Sequence, residues 1–270
     1  MIWIDGYFGM NLKRRLALAY YRAKGGFPAK IAGERYRLVP ENRKFWRKVA
    51  DKQWEPHTFI VLDRYLHPDS VYLDIGAWIG PTVLFAARRC KTVYCVEPDP
   101  VAYQRLLANL HINGIGNVLP FHGALGARNE VVQIASEGGF GDSETRIRAQ
   151  GAPEGDGVPV LALDIASLVA WWGIERIDLL KMDIEGAEFD LVPSLINFLP
   201  RIKPPIYLSL HAPLFPQSER RDKLAAVVEL AGHYAFCYDK RLNQISPDEV
   251  LGESFAEKFN TVLLTDAALS

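Results

Sequence analysis

The chain has 270 residues, of which 49% are hydrophobic and 23% charged, and its formal net charge is −1. This length and composition predict a soluble globular protein with a large core and exclude a chain that is disordered throughout. No apolar run approaches the ~20 residues of a membrane span, no cleaved signal peptide is expected, and the three cysteines lack metal-site spacing. We therefore predict a cytoplasmic protein.

The amino-terminal part of the chain is basic. Residues 1–54 hold 13 of the 31 Lys and Arg but only 4 of the 32 acids, so they carry +9 and the remainder −10. We predict a mainly helical extension over 1–54, followed by one domain over 55–270. Phe8, Leu12, Leu16 and Tyr20 recur at helical spacing. We expect this stripe to pack on the chain's own acidic domain. Contact with a membrane surface is the alternative.

A short apolar run, a glycine turn and a helix follow one another between residues 71 and 89. The run Val71–Ile75 contains Asp74, and Gly76 and Gly80 follow it with three residues between them. Dinucleotide-binding turns usually read Gly-x-Gly-x-x-Gly. The wider spacing suits a ligand whose carboxylate meets backbone N–H groups and whose ammonium meets an acid. S-adenosylmethionine has such an amino-acid tail.

The next predicted strand ends in an acid. Glu97 closes the run from Thr92 and lies 23 positions after Asp74. An acid at this distance along an α/β unit hydrogen-bonds the ribose hydroxyls of a nucleotide-like ligand. Asp99 stands before the next helix and is predicted to be its N-cap, a structural role.

Strands and helices continue to alternate toward the carboxyl terminus, apart from a region rich in glycine, serine and charge at residues 137–159. That region is predicted to be either a mobile flap or a β-hairpin excursion, and both interpretations stay open. The remaining predicted strands are 117–122, 131–135, 158–162, 177–182, 205–210, 233–238 and 259–264, with helices at 165–172 and 221–230. Asp183 and His211 each follow directly after one of these strands.

Three segments carry a specific resemblance. They read Asp74-Ile75-Gly76-Ala77-Trp78-Ile79-Gly80, Val96-Glu97-Pro98-Asp99-Pro100 and Lys181-Met182-Asp183-Ile184-Glu185-Gly186-Ala187-Glu188. Together they resemble the FkbM family of S-adenosylmethionine-dependent methyltransferases, and the resemblance covers roughly residues 54–266. It implies an α/β, Rossmann-like class I methyltransferase fold. The expected sheet is mostly parallel and seven-stranded, with helices on both faces and an antiparallel final strand.

The resemblance also implies contacts with the methyl donor. Two positions depart from it: Trp78 stands where the family usually has asparagine, and Ala124 where many class I methyltransferases carry an acid for the adenine amino group. We therefore expect adenine to meet backbone and apolar side chains. Glu55 either reaches the donor's amino group or is an ordinary acid at a helix start. The candidate donor-binding residues are Glu55, Asp74, Gly76, Ala77, Gly80, Glu97, Ala124, Leu125 and Asp183.

Three side chains are candidates for the catalytic chemistry. A hydroxyl acceptor must lose its proton, and His211, Asp183 and Glu185 stand at strand ends where a base is needed, with His211 preferred. Glu185 and Glu188 are candidate acceptor ligands. Each of these residues could instead be a helix cap or a buried polar core residue. A divalent cation held by the carboxylates and the histidine is a less favoured alternative. Lys181 is assigned no catalytic role.

The sequence thus predicts an O-methyltransferase that acts on a hydroxyl of a sugar or natural product. One alternative is a donor-binding scaffold protein without catalysis, motivated by Trp78 in the glycine turn. Another is a nicotinamide-dependent reductase, which the glycine spacing disfavours. Nucleic-acid methylation is also disfavoured, because no basic, aromatic-interleaved stripe accompanies the catalytic segments.

Overall fold

The computed structural model describes residues 12–136, 138–143, 145–147 and 157–269. Within these ranges the strands are β1 (Phe27–Ile31), β2 (Glu34–Leu38), β3 (Val71–Ile75), β4 (Thr92–Glu97), β5 (Val118–His122), β6 (Ala124–Leu125), β7 (Glu130–Ser136), β8 (Thr145–Ile147), β9 (Val158–Leu163), β10 (Leu179–Met182), β11 (Ile206–Leu210), β12 (Phe236–Asp239), β13 (Gln244–Ile245) and β14 (Asn260–Thr265). The α-helices are α1 (Leu12–Ala23), α2 (Arg43–Ala50), α3 (Pro56–Tyr65), α4 (Pro81–Ala87), α5 (Pro100–Ile112), α6 (Ile165–Trp172), α7 (Glu188–Phe198), α8 (Gln217–Ala231) and α9 (Glu253–Ala256).

The central sheet confirms the predicted class I architecture. Its order among the described residues is β13-β12-β14-β11-β10-β3-β4-β5. The five strands from β11 to β5 are mutually parallel, and β14 inserts antiparallel between β11 and β12. The two-residue β13 was not predicted and adds an eighth strand at the edge. It forms because Asp239 Oδ1 accepts hydrogen bonds from the backbone N–H groups of Arg241 and Asn243, which fold the chain back on itself.

Strand alternation divides the buried side chains between two cores, one on each face of the sheet. Leu180 and Met182 of β10 join one core with α6, α7 and α8, whereas Leu179 joins the other with α4 and α5. The strands β10 and β11 are buried along their whole length, as expected for parallel strands covered by helices on both faces.

The amino-terminal segment contains a β-hairpin that the sequence did not predict. β1 and β2 pair antiparallel around a turn at Ala32 and Gly33, both with positive φ. The two strands are short and interrupted by charged residues, so their alternation is weak as a sequence signal. The hairpin nevertheless joins the α4 and α5 core, and the Tyr36 hydroxyl donates a hydrogen bond to the Leu84 carbonyl at 3.2 Å.

The apolar stripe of α1 does not pack on the body of the protein, contrary to expectation. Leu12, Leu16 and Tyr20 remain 66%, 62% and 59% exposed. The helix docks through its other side, where Leu18 is buried and the Tyr21 ring meets the Phe27 ring edge-on. Residues on opposite sides of one helix cannot both face the core, so burial of Leu18 turns the stripe outward. Phe8 lies outside the described residues.

The region predicted as flap or hairpin belongs to a second, four-stranded sheet of order β6-β9-β7-β8. The strands β7 and β8 pair antiparallel, with described residues 138–143 between them, so this part is a hairpin excursion. Residues 137, 144 and 148–156 of the region lie outside the described residues. None of the helices in the described ranges is long and apolar enough to cross a membrane.

Candidate active site

The candidate site lies at the carboxyl ends of β3, β4, β10 and β11. The chain runs outward from β3 to β5 on one side and continues at β10 on the other, so β3 and β10 flank a topological switch point, where α/β sheets bind ligands. Two cavities of about 450 Å³ and about 60 Å³ open there. Gly76, Trp78, Asp183 and Glu185 line both cavities, which therefore adjoin.

The glycine turn supplies space rather than hydrogen-bond donors. Gly76 has φ +86°, and a Cβ placed on it would lie 1.8 Å from the Asp183 carbonyl oxygen. The N–H groups of Gly76 and Ala77 both donate to the Val96 carbonyl at 3.0 Å. Those two N–H groups are therefore directed at β4. The prediction that backbone N–H groups of this turn meet the donor carboxylate is wrong for Gly76 and Ala77, because β4 already accepts their hydrogen bonds.

Not every predicted donor contact reaches a cavity. Asp74 and Gly80 are absent from the described residues that line the two cavities. Asp74 is fully buried and accepts a hydrogen bond from the Thr82 hydroxyl at 2.5 Å. Gly80 is the N-cap residue of α4, with φ +92°, and lies against the Leu106 side chain. Their positions fit a supporting role beneath the glycine turn.

Trp78 holds residues 138–143 against the glycine turn. Its backbone has φ +47°, and its indole Nε1–H donates to the Gly141 carbonyl at 3.3 Å. Arg105 donates to the same carbonyl at 2.8 Å. The Trp78 ring also packs edge-on against Phe45 of α2, with centroids 4.4 Å apart. The tryptophan thus connects the amino-terminal segment, the glycine turn and residues 138–143 while leaving both cavities open.

The smaller cavity combines an acidic side chain with an apolar wall, two features that could serve a nucleoside. Glu97 lies on its wall, and its carboxylate accepts hydrogen bonds from the backbone N–H groups of Trp78 at 2.6 Å and Asp99 at 2.7 Å. Burial raises the pKa of Glu97 to about 8, although these two hydrogen bonds act to lower it. Each carboxylate oxygen keeps a second lone pair for a ribose hydroxyl. Ala124 and Leu125 form an apolar part of the same wall.

Replacing Glu97 by alanine is expected to weaken S-adenosylhomocysteine binding by ~1–3 kcal/mol, since the hydrogen bonds between Glu97 and the two ribose hydroxyls would be lost. Titration calorimetry measures this directly. Glu97→Gln keeps one acceptor oxygen and should lie between the wild type and Glu97→Ala. Equal affinity in all three proteins would show that Glu97 is not the ribose ligand.

Lys181 is a site residue that sequence reasoning missed. It faces Asp74 across the β10–β3 ladder, and its Nζ lies 3.5 Å from Asp74 Oδ1 and 3.4 Å from Asp183 Oδ2. It is buried and lines the larger cavity. Burial alone would lower the pKa of Lys181, but Asp74 and Asp183 hold it above its ordinary value. The available signal was its i, i+2 relation to Asp183, which puts both side chains on one face.

The substitution Lys181→Met is expected to destabilise the fold by ~3–5 kcal/mol, because it leaves buried carboxylates without their cation. Chemical denaturation would measure the loss. The matched control is Lys203→Met, which breaks the exposed pair with Asp266 and should cost no more than ~1 kcal/mol. Similar stabilities of the two variants would contradict a buried charge cluster.

His211 is held by Glu188. Glu188 is fully buried, and its Oε1 lies 3.0 Å from His211 Nδ1 and accepts from the His211 backbone N–H at 2.7 Å. Its other oxygen accepts from the Gly186 N–H at 2.8 Å. An ionised carboxylate accepts only from a protonated Nδ1, so this bond fixes the tautomer and leaves His211 Nε2 for the cavity. Glu188, predicted as an acceptor ligand, is absent from the described cavity lining and instead positions His211.

The free side of the imidazole faces two carboxylates. His211 Nε2 lies 3.4 Å from Asp183 Oδ1 and 3.9 Å from Glu185 Oε1. Burial would lower the pKa of His211, but the hydrogen bond to Glu188 and the charges of Glu188, Asp183 and Glu185 raise it to about 9. Ligand atoms of Asp183, Glu185 and His211 all lie within 4.8 Å of one another, an arrangement that can also hold a divalent cation.

Glu55 lies on the wall of the larger cavity at the start of α3. It has φ +38° and accepts a hydrogen bond from the Thr58 hydroxyl at 3.0 Å. Burial, followed by the charge of Asp183, raises the pKa of Glu55 to about 7. A cationic group bound nearby would favour its ionised form.

The sheet order, the glycine turn and the acid at the end of β4 define a class I, Rossmann-like methyltransferase. Residues 74–236, more than half of the chain, match the methyltransferase FkbM domain. The chain therefore belongs to the FkbM methyltransferase family, whose methyl donor is S-adenosyl-L-methionine.

Individual proteins show more distant similarity. An uncharacterized protein of Methanocaldococcus jannaschii is 33% identical over 57 residues, which are 21% of this chain and 22% of that protein. The chain thus matches about a fifth of that relative's length. Trm5b from Pyrococcus abyssi has a TM-score of 0.44 at 16% identity, covering 87% of this chain and 53% of that one. The precorrin-6y C5,15-methyltransferase of Geobacter metallireducens has a TM-score of 0.42 at 14% identity, covering 78% and 87%.

Proposed function

We propose that the protein is an O-methyltransferase whose acceptor is a hydroxyl of a sugar or natural product. The observation that carries this proposal is the position of the His211 imidazole. Glu188 orients it toward the larger cavity, beside the wall that this cavity shares with the smaller one, which we call the nucleoside-type cavity. Bound S-adenosylmethionine would supply an electrophilic methyl group. The chain's own residues would align the acceptor and remove its proton.

The lining of the larger cavity supports a polyhydroxyl acceptor. Its volume of about 450 Å³ falls in the range of small-molecule sites. Hydrogen-bonding side chains surround it, including Glu185 from the β10 end, Ser209 from β11 and Asn260 and Thr261 from β14. Hydroxyl groups can donate to the carboxylates and exchange hydrogen bonds with the hydroxyl and amide groups.

Each candidate residue has a distinct role in this proposal. His211 is the base, while Asp183 and Glu185 bind and orient the acceptor hydroxyl beside it. The donor would meet Glu97 at its ribose, Ala124 and Leu125 at its adenine, and Glu55 at its amino group. Gly76 and Ala77 let the donor approach the main chain. Asp74 and Gly80 support this turn from beneath.

Turnover is expected to rise with pH to a plateau above an apparent pKa of about 9, since His211 accepts a proton only when neutral. Glu188, Asp183 and Glu185 face the imidazole and hold its proton. The substitution Glu188→Gln removes the contact that most raises the pKa of His211. The turnover of this variant should therefore reach its plateau at a lower pH than that of the wild type. Initial rates at saturating donor and acceptor, compared for both proteins, test this. Profiles that coincide would contradict a base controlled by Glu188.

The proposed function is tested by incubating the purified protein with isotopically labelled S-adenosylmethionine and a panel of saccharide and polyketide alcohols. Transfer of label to a hydroxyl oxygen, located by mass spectrometry, is the expected result. Binding of S-adenosylhomocysteine without transfer to any acceptor would favour the donor-binding scaffold. Loss of transfer in EDTA, restored by Mg²⁺ or Mn²⁺, would indicate that a cation held at Asp183, Glu185 and His211 activates the hydroxyl, and that His211 is not the base.

A further inference from the structure

The outward face of α1 carries a continuous apolar stripe. Leu12, Leu16 and Tyr20 follow one another at four-residue intervals and are all more than half exposed. Residues four apart lie on one face of a helix, so the three side chains form a row. Ala19 and Ala23 are also exposed and lie beside this row. Apolar side chains exposed singly need no explanation, whereas a contiguous exposed apolar patch marks an interaction site.

Positive charge flanks the stripe on both sides. Residues 12–25 contain five basic residues and no acidic one. At 100° per residue, one lysine falls along one edge of the stripe and two arginines fall along the other. All five basic residues are exposed: Lys13, Arg14, Arg15, Arg22 and Lys24.

The helix presents this stripe in a fixed orientation. Leu18 is buried on the opposite side, and the Tyr21 ring centroid lies 5.1 Å from that of Phe27. Arg22 forms an ion pair with Glu41. The Arg37 guanidinium donates to the carbonyl that follows the helix, that of Lys24, at 2.6 Å. These contacts hold α1 on the body of the protein, so the apolar row points away from it.

We propose that α1 docks on an anionic lipid bilayer, with Leu12, Leu16 and Tyr20 entering the boundary between headgroups and acyl chains. The flanking cations then lie at the level of the lipid phosphates. Apolar residues between cationic edges are the pattern of helices that lie in a membrane interface.

Two other occupants fit the pattern less well. A second copy of the chain would bring the same cations against these cations, and like charges opposed in this way weaken a contact. RNA would use the cations but has no need of an aliphatic row at the centre of the surface. The bilayer is the occupant that uses both components of the face.

The test is co-sedimentation of the full chain with vesicles of phosphatidylcholine alone or with about one third phosphatidylglycerol, an anionic lipid. Binding is expected to the anionic vesicles and should weaken as salt is added. Leu12→Ser/Leu16→Ser should reduce the partition coefficient by about tenfold or more, because two apolar contacts are lost. Lys13→Gln/Arg15→Gln should reduce it by about fivefold for each charge removed.

The matched control is Val131→Ser/Leu161→Ser, which removes two exposed apolar side chains that are neighbours on β7 and β9. This variant should bind vesicles like the wild type. Unchanged S-adenosylhomocysteine affinity and melting temperature would show that every variant is folded.

Three results would overturn the proposal: no binding to either vesicle, equal binding to both, or equal loss in the Val131→Ser/Leu161→Ser control. A dimer in solution that Leu12→Ser/Leu16→Ser abolishes would assign the face to a second copy of the chain. Retention of transfer RNA in a gel-shift assay, with no vesicle binding, would assign the face to nucleic acid.

Discussion

Replacing His211 by alanine is expected to reduce turnover by ~10²–10⁴-fold while leaving S-adenosylhomocysteine affinity nearly unchanged. The imidazole contacts Glu188 on one side and faces the larger cavity on the other, and it is not part of the smaller cavity's lining as described. Its loss should therefore remove proton transfer without altering the nucleoside-type cavity. Single-turnover rates and calorimetric titrations of the same preparations separate the two effects.

The matched control for this substitution is His233→Ala, since His233 is exposed. It should retain full activity. Full activity in the His211→Ala variant would move the base role to Asp183 or to a bound cation. A parallel loss of donor affinity would instead indicate that His211 acts by supporting the site's structure.

Replacing Gly76 by alanine is expected to lower donor affinity by about a hundredfold or more, because both local strain and a steric clash oppose the native turn. The new Cβ would lie 1.8 Å from the Asp183 carbonyl oxygen, far inside contact distance. Relief of this contact requires β3 and β10 to separate at the edge where both cavities are lined. The donor site and the position of Asp183 would change together.

Gly114→Ala is the control for the effect of positive φ alone. Gly114 has φ +62°, and a Cβ there would meet no atom of the described chain within 4 Å. It should lose about 1 kcal/mol of stability and no donor affinity. Equal donor affinity of the Gly76→Ala variant and the wild type, measured by calorimetry, would contradict the role given to the glycine turn.

The sheet could be predicted from the sequence because each parallel strand is an apolar run that ends in a polar or glycine residue. Three such runs predicted strands together with their carboxyl ends. They end at Glu97, immediately before Asp183 and immediately before His211. The β1–β2 hairpin could not be predicted in this way, since charged residues interrupt both strands. It is stabilised by packing against α4 and α5, which is a tertiary effect.

Only part of the site could be predicted from the sequence, because two of its contacts depend on strand register and on the position of a helix. Lys181 meets Asp74, which is 107 residues away, through the alignment of β10 with β3. An acid at a helix start such as Glu188 usually indicates a favourable helix dipole interaction. Its bond to His211 becomes visible only when α7 and β11 are placed side by side.

The orientation of α1 could not be read from periodicity alone. Helical spacing groups Leu12, Leu16 and Tyr20 on one face but does not say which face meets the body. Burial of Leu18 and the contact between Tyr21 and Phe27 decide the orientation.

Binding of the methyl donor at the sheet edge between β3 and β10 underlies all of these expected results. It is tested most directly by calorimetric titration of the purified chain with S-adenosylhomocysteine, beside NADH and with EDTA present in a parallel run. We expect saturable S-adenosylhomocysteine binding that Glu97→Ala weakens, and no saturable binding of NADH. Binding of NADH in place of S-adenosylhomocysteine, or no binding of S-adenosylhomocysteine by the folded chain, would contradict it.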